Sequence, residues 1–318
     1  NFRASYFNEL LQSKGAPNVT AISANALDDY FTTQRANFVS QTQLRLPKFK
    51  TQLNLTNAMN FYLRNRERMV TNLETLEQQA STTADGQDTQ TFQSFNSRLI
   101  GLSALNKFFS LGYGFDINLE QGNSQRIREN EGINDYALFY NLKFKYKKWM
   151  VEQGLRATYN SRFAVPIIPA LHAKYTVNKN WVSRISYASG FRTPSIKERY
   201  LYFVDQNHDV VGNPNLQPES SNSITAGITH QLESKQHDVF VDLSLFRTDI
   251  QDMIVLASTN SNGTSFRYEN IESFQSQGAN LRLSYGRNNF EMNTGIGYIG
   301  IRQTTDSLIN QDAFLYRM

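Results

Sequence analysis

The stretch that decides the fold runs from Trp181 to Ser223, WVSRISYASGFRTPSIKERYLYFVDQNHDVVGNPNLQPESSNS. In its first part, apolar and polar residues alternate. The apolar face consists of Trp181, Ile185, Tyr187 and Phe191, and the polar face consists of Arg184, Ser186 and Arg192. A period of two predicts a strand with one apolar side. The pattern stops at Gly190 and Pro194, and Pro218 precedes the point where alternation resumes. The stretch therefore predicts a strand, a long loop and a second strand.

The same alternation recurs along the chain. It is clearest at 109–119, where six apolar residues alternate with Ser, Gly, Asp and Asn. Further alternating segments lie at 49–63, 136–146, 149–159, 239–245 and 290–298, with less regular ones near 1–11, 34–46 and 91–104. These segments and the weaker ones between them predict an all-β fold of about fourteen strands.

The connections between the predicted strands carry a second signal, because short and long ones alternate. The short ones lie near 47–48, 105–107, 147–148, 178–180, 234–237 and 287–289. The long polar ones lie at 12–33, 65–90, 121–134, 160–169, 192–222, 257–266 and 303–312. Transmembrane antiparallel β-barrels have short periplasmic turns and long extracellular loops. Soluble sandwiches follow no such rule.

The two tryptophans support the same orientation. Trp149 and Trp181 each begin a strand directly after a short turn, with Lys147, Lys148 and Lys179 beside them. Amphipathic indoles gather at the boundary between membrane and water, which predicts a periplasmic aromatic girdle. A pair of tryptophans buried in a core is the alternative.

Composition excludes several functions. The 318 residues include no cysteine, so disulfides and cysteine-ligated metals are excluded. The net charge is +4 without a concentrated basic block, which argues against a nucleic-acid partner. Mean hydropathy is −0.50, which suits either a soluble protein or a barrel. Four histidines and no Gly-x-Ser-x-Gly turn leave little basis for an enzyme.

In a barrel, the polar strand faces would line a water-filled lumen. The lumen-facing residues predicted on this basis are Arg156, His172, Lys174 and Arg184. Their plainest interpretation is a solvated wall rather than a catalytic site.

Two short motifs in the opening stretch resemble a known family. GFRTPS at 190–195 followed by GNPNLQPE at 212–219 resembles the paired barrel motif of TonB-dependent outer-membrane receptors. YALFYNLKFKYKKWMVEQGLRATYNSRF and YENIESFQSQGANLRLSYGRNNFEMNTGIGYIG resemble hairpins of the same family, in the same order. The resemblance covers roughly Asp135 to Arg302.

The resemblance implies a barrel of about 22 strands plugged by an N-terminal domain. On this view, residues 1–318 are a barrel portion that lacks the plug and is truncated at both ends. The family implies a receptor in the outer membrane of a Gram-negative cell that captures a scarce nutrient, namely a ferric siderophore, haem or cobalamin. Its partners would be outer-membrane lipid, TonB with its inner-membrane energy complex, and a surface lipoprotein. No intrinsic cofactor is expected, and an iron-containing ligand would be cargo.

The resemblance also assigns roles to residues. His208 lies between the two motifs, as does the histidine of haem receptors, and would be a metal ligand only if the ligand is haem. The flanking ligand-contact candidates are Tyr200, Tyr202, Asp205 and Asp209. Structural roles are expected for the motif residues Gly190, Phe191, Arg192, Pro194, Asn213, Pro214 and Glu219. We further predict that Arg192 and Glu219 pair across the base of the loop.

From the residues alone, without the resemblance, a soluble β-rich binding or adhesive protein remains the alternative. It would keep the alternation but bury the apolar faces, and it would be a compact monomer without detergent.

Overall fold

Antiparallel ladders of alternating residues build one continuous sheet. The computed structural model describes residues 1–82, 86–124, 127–204, 209–234, 236–260, 262–304 and 315–317. The strands are β1 (Phe2–Ser13), β2 (Asn18–Val19), β3 (Ala24–Leu46), β4 (Thr51–Asn72), β5 (Gln78–Ala80), β6 (Gln87–Ala104), β7 (Phe109–Ser124), β8 (Ile127–Tyr146), β9 (Trp149–Asn160), β10 (Ile168–Thr176), β11 (Trp181–Arg192), β12 (Tyr202–Val204), β13 (Asp209–Val211), β14 (Glu219–Glu233), β15 (Asp238–Ser258), β16 (Ser265–Arg287), β17 (Phe290–Thr304) and β18 (Leu315–Arg317). A 3-10 helix spans Pro47–Phe49, and α1 spans Ile196–Tyr200.

The long strands form a meander in which each pairs antiparallel with the next. The order is β1-β3-β4-β6-β7-β8-β9-β10-β11-β14-β15-β16-β17-β18. The short strands β2, β5, β12 and β13 all lie at the long-loop end of the sheet. The predicted transmembrane antiparallel barrel architecture is therefore the observed one.

The apolar side chains of the strands point outward and stay exposed. Leu138 and Tyr159, for example, are 68% and 67% exposed. A contiguous apolar face of this kind is unfavourable in water and is what lipid requires. Trp149 and Trp181 are 51% and 38% exposed at the starts of β9 and β11, so they are not core tryptophans.

No helix in the described part of the chain is long and apolar enough to cross a membrane.

The predicted long loops at 12–33, 65–90 and 121–134 are partly wrong, because strands occupy much of these ranges. β3 begins at Ala24, β4 continues to Asn72, and β7 and β8 leave only residues 125–126 between them. Beyond the membrane both faces of a strand meet water, so the ladder needs no apolar alternation there. The polar composition therefore concealed the strand extensions.

The strands at the middle of the meander are much shorter. β10 has 9 residues and β9 and β11 have 12 each, against 20 in β8 and 23 in β16. This leaves a gap in the wall at the long-loop end. The described residues of the connection between β11 and β14, 193–204 and 209–218, lie over that gap, and we call them the mouth segment.

Candidate functional site

An ion-pair network closes the base of the mouth segment. Arg192, the last residue of β11, donates from Nη2 and Nε to Glu219 at 2.6 and 2.8 Å. Its Nη1 donates to both oxygens of Glu198 at 3.0 and 2.9 Å. The predicted Arg192–Glu219 pair is thus present, and Glu198 is a second partner. Glu219 also accepts from the backbone N–H of Ile254 at 2.7 Å, which ties the network to β15.

Glu198 also starts the helix of the mouth segment. The Ser195 hydroxyl accepts from the Glu198 backbone N–H at 3.2 Å, and the Glu198 carboxylate accepts from the Ser195 N–H at 2.8 Å. This capping box satisfies backbone donors that the first turn of a helix leaves unpaired. Burial alone would raise the pKa of the Glu198 carboxyl, but hydrogen bonds from Arg192 and Ser195 outweigh it and hold the pKa below its ordinary value.

The second motif is held against α1 by contacts to its backbone. The carbonyl of Pro214 accepts from Nε and Nη2 of Arg199 at 3.3 and 2.8 Å. The N–H of Asn213 donates to the Glu198 carbonyl at 2.9 Å. Gly212 passes so close to α1 that a Cβ there would lie 2.6 Å from the carbonyl carbon of Arg199. Asn213 and Pro214 of the second motif are therefore joined to α1 by hydrogen bonds.

A small apolar cluster holds one flank of the mouth segment against β8. Ile127, Ile133 and Ile196 are each 5% exposed and contact one another. Tyr200 packs on them, and its hydroxyl bonds Glu131. Burial raises the pKa of the Tyr200 phenol, with a further contribution from the Glu131 carboxylate.

The other flank is joined to β16. β13 runs parallel to the start of β16, and the Ser265 hydroxyl donates to Asp209 at 3.2 Å. Asn270 on β16 donates to the carbonyls of Gln217 and Asp252 at 3.0 and 2.6 Å. Together the two flanks connect β8 to β16 across the gap.

The three ligand-contact candidates that the structure describes do not converge on one point. Tyr200 packs on the β8 flank, Asp209 bonds the β16 flank, and Tyr202 is exposed on β12. Asp205 and His208 lie outside the described residues. Among the residues that are described, no group of three or more His, Cys, Asp or Glu side chains is placed to hold a metal ion.

Beneath the mouth segment lies an open polar cavity of about 660 Å³. Its wall includes Arg98, Asp116, Arg156, Phe191 and Arg192. Arg98 and Arg156 both donate to the single carboxylate of Asp116. Asp135 also lines the cavity, so the wall carries both guanidinium and carboxylate groups and can offer a polar ligand charge-assisted hydrogen bonds of either kind.

A second open cavity, of about 380 Å³, lies nearer the short turns. It is lined by Glu152, His172, Lys174, Arg184 and Asp242 among others, so three of the four predicted lumen residues share it. Thr229 accepts from Arg184 at 2.7 Å and donates to Asp242 at 2.6 Å. Thr229 thus links the Arg184 and Asp242 charges across strands, and the interpretation of these residues as a solvated wall stays a prediction.

Sequence reasoning missed several residues of the site. Glu198 was detectable, since Ser195-x-x-Glu198 is a capping-box pattern. Asn270 and Asp116 were not, because each acts on residues far away in the chain. Only the strand register brings such residues together.

A meander with an apolar outer face, a polar inner face and a folded connection over one end is the wall of an outer-membrane β-barrel. The chain belongs to the TonB dependent receptor-like β-barrel family, whose family model matches residues 2–315. Members of this family are receptors and transporters in the outer membrane of Gram-negative bacteria. Membership of this family takes the place of the alternative interpretation, a soluble β-rich binding or adhesive protein.

Individual relatives fall in the same class. The vitamin B12 transporter BtuB of Vibrio vulnificus is 30% identical over 132 residues, which are 42% of this chain and 19% of that protein. The siderophore receptor PirA of Pseudomonas aeruginosa has a TM-score of 0.58 at 15% identity over 96% of this chain and 67% of that one. The hemophore receptor HasR of Serratia marcescens, in complex with its hemophore HasA and heme, has a TM-score of 0.54 at 13% identity over 96% and 59%. The chain thus matches only part of the length of each relative.

Proposed function

We propose that the protein carrying this chain captures a scarce metal-containing nutrient outside the cell and imports it with energy supplied through TonB. The observation that carries the proposal is the mouth segment, which is fixed on both flanks above an open polar cavity. Such an arrangement presents a preformed polar recess to the cell exterior. No covalent chemistry is required of it.

Three ligand classes are compatible with the family: ferric siderophores, haem and cobalamin. The similarity to a vitamin B12 transporter supports cobalamin, while the fold neighbours are a siderophore receptor and a hemophore receptor.

The test is a binding panel on the whole receptor, purified in detergent and titrated with cyanocobalamin, haem and a set of ferric siderophores. We expect saturable binding of one class only, and expression that rises when that nutrient is withheld. Binding of none of these, together with unchanged expression under both iron and cobalamin limitation, would contradict the proposal.

Haem ligation through His208 is tested separately. His208→Ala should lower haem affinity if haem is the ligand, because imidazole is a common iron ligand. His172→Ala is the matched control on the lumen wall. Equal haem affinity in both variants would exclude His208 as a ligand without affecting the transport proposal.

A further inference from the structure

The cations of the sequence are divided unequally between the two ends of the barrel. Of the twelve lysines, seven lie in the short turns at 47–50, 105–108, 147–148, 177–180 and 234–237. Only one of the twenty arginines, Arg287, lies in a short turn. Arginine suits bidentate pairing with carboxylates, whereas lysine is a compact, mobile point charge. The cations at the short-turn end are therefore of the type that is less suited to pairing with carboxylates of the protein.

In four of these five turns, the lysines that the structure describes form no salt bridge with a carboxylate. The segments 47–50, 105–108, 146–149 and 177–181 contain no Asp or Glu. Within the described ranges, Lys48, Lys107, Lys147 and Lys179 are exposed and form no salt bridge; the one lysine ion pair found joins Lys143 to Glu152. Positive charge accumulates here without an internal counterion, so the counterion must be external.

Two of these lysines lie over an aromatic ring, and the other two, Lys48 and Lys179, are followed within two residues by an exposed one, Phe49 or Trp181. Lys107 lies 4.9 Å from the ring centroid of Phe108, and Lys147 lies 5.2 Å from that of Tyr146. The ring centroids of Trp149 and Tyr175 lie 4.5 Å apart and those of Trp181 and His230 lie 4.4 Å apart, with the rings tilted in both pairs, which extends the row along the outer surface. We call Lys48, Phe49, Lys107, Phe108, Tyr146, Lys147, Trp149, Lys179 and Trp181 the lysine–aromatic belt.

Aromatic rings of this kind sit at the level of lipid headgroups, and lysine side chains reach from the apolar surface into that layer. From the charge, the missing internal counterion and the aromatic depth markers, we infer that the lysine–aromatic belt is a docking surface for anionic phospholipid headgroups of the periplasmic leaflet. The ammonium groups contact the phosphates while the rings fix their height. The surface would hold a shell of anionic lipid and set the depth of the barrel in the membrane.

The chain supplies its own probe, since both of its tryptophans lie in the belt. The whole receptor is reconstituted in phosphatidylcholine vesicles that contain either brominated phosphatidylglycerol or brominated phosphatidylcholine at equal mole fraction. Subtracting the W149F/W181F signal isolates the fluorescence of the belt. We expect the quenching to show that the receptor associates with phosphatidylglycerol at least about fivefold more strongly than with phosphatidylcholine.

The test variant is K48Q/K107Q/K179Q. In it the preference, which is the ratio of association with phosphatidylglycerol to association with phosphatidylcholine, should fall close to one. The matched control K14Q/K174Q/K197Q removes three lysines elsewhere and should keep the preference. K48R/K107R/K179R preserves the charges and should also keep it. Equal quenching by both lipids in the unmodified receptor, or equal loss in the test and control variants, would overturn the inference.

Two measurements on the unmodified receptor keep the inference testable should the glutamine variant fail to fold. Raised sodium chloride should reduce the preference, because exposed charges are screened. Inorganic phosphate at the same ionic strength should reduce it equally. A much stronger effect of phosphate would identify a site for a free anion and contradict docking of lipid.

Discussion

The two ends of this barrel wall differ in the cations they use and in what those cations contact. At the long-loop end, Arg192 lies between the Glu198 and Glu219 carboxylates, and Arg98 and Arg156 share Asp116. At the short-turn end, exposed lysines stand beside aromatic rings and contact no carboxylate in the described ranges. The first arrangement fixes protein against protein. The second leaves charge available to the surroundings.

The difference teaches that one sheet can be stabilised in two ways along the same strands. The mouth segment needs internal partners because it lies outside the membrane and has only a small apolar cluster beneath it. The short turns need none, because each consists of a few residues between paired strands. Disrupting internal partners should therefore affect the long-loop end strongly and the short-turn end weakly.

The largest effect is expected from Arg192→Met. The substitution leaves two carboxylates, each 16% exposed, without their cation, and breaking such a pair costs about 3 kcal/mol. Backbone amides of 196–201 and 212–216 should exchange about a hundredfold faster in the whole receptor, while those of the short turns stay unchanged.

Arg247→Met is its control, because the Arg247–Asp249 pair is exposed at 56% and 43% and adds little stability. If both variants left the mouth segment equally protected, the ion-pair network would not be what holds it.

The next effect concerns the apolar cluster. Ile196→Ala removes a side chain that is 5% exposed and should destabilise the mouth segment by about 2 kcal/mol, the low end for such a deletion because the cluster is small. Limited proteolysis should then cleave the segment more rapidly. Ile22→Ala makes the same deletion where the side chain is 96% exposed, and it should change nothing. Comparable cleavage rates in the two variants would rule out a structural role for the cluster.

A smaller effect is expected on acidification. The pKa of Glu198 lies below its ordinary value of 4.5, so its contribution to stability is present above about pH 4.5 and is lost as the pH falls through the lowered pKa. Amide protection of the mouth segment should decline over that range, with Arg192 and Glu219 as the facing charges.

Glu198→Gln should flatten this dependence, although Glu219 remains. A pH profile identical to that of the unmodified receptor would show that Glu198 is not the titrating group.

Much of the fold could be predicted because membrane strands must alternate. Lipid on one side and water on the other impose an alternation of apolar and polar residues with a period of two, as at 109–119. The short turns interrupt this alternation between one strand and the next. Where β7 and β8 extend beyond the membrane, that constraint ends and the prediction of a loop at 121–134 failed. The alternation therefore reports the solvent on each face rather than the strand itself.

The candidate site was predictable only where its contacts are local or charge-complementary. Arg192 and Glu219 flank one loop, so their pairing could be anticipated, and Ser195 with Glu198 follows a short helix-start pattern. Asp116 between Arg98 and Arg156 depends on the register of four neighbouring strands, β6 to β9, which no short motif encodes. Whether Asp205 and His208 contact a ligand stays a prediction.

The smallest expected effect distinguishes the contribution of lysine charge to stability from that of backbone conformation at the short-turn end. Lys147 adopts a φ of 50°, a left-handed conformation that asparagine tolerates better, and Asn288 occupies the same place in the last short turn with a φ of 52°. Lys147→Asn should therefore stabilise the turn by less than about 1 kcal/mol, measured as a higher urea midpoint of the whole receptor.

Lys107→Asn removes the same charge from another short turn, in which the lysine is not left-handed, so it should leave the midpoint unchanged. Both substitutions should lower the preference for anionic lipid by a similar factor, since each removes one belt charge. An equal rise in midpoint for both would mean that relief of charge repulsion, not of backbone strain, stabilises the turn. In that case the unpaired lysines carry a cost in stability, and their retention at this end argues for an external anionic partner more strongly than their exposure does.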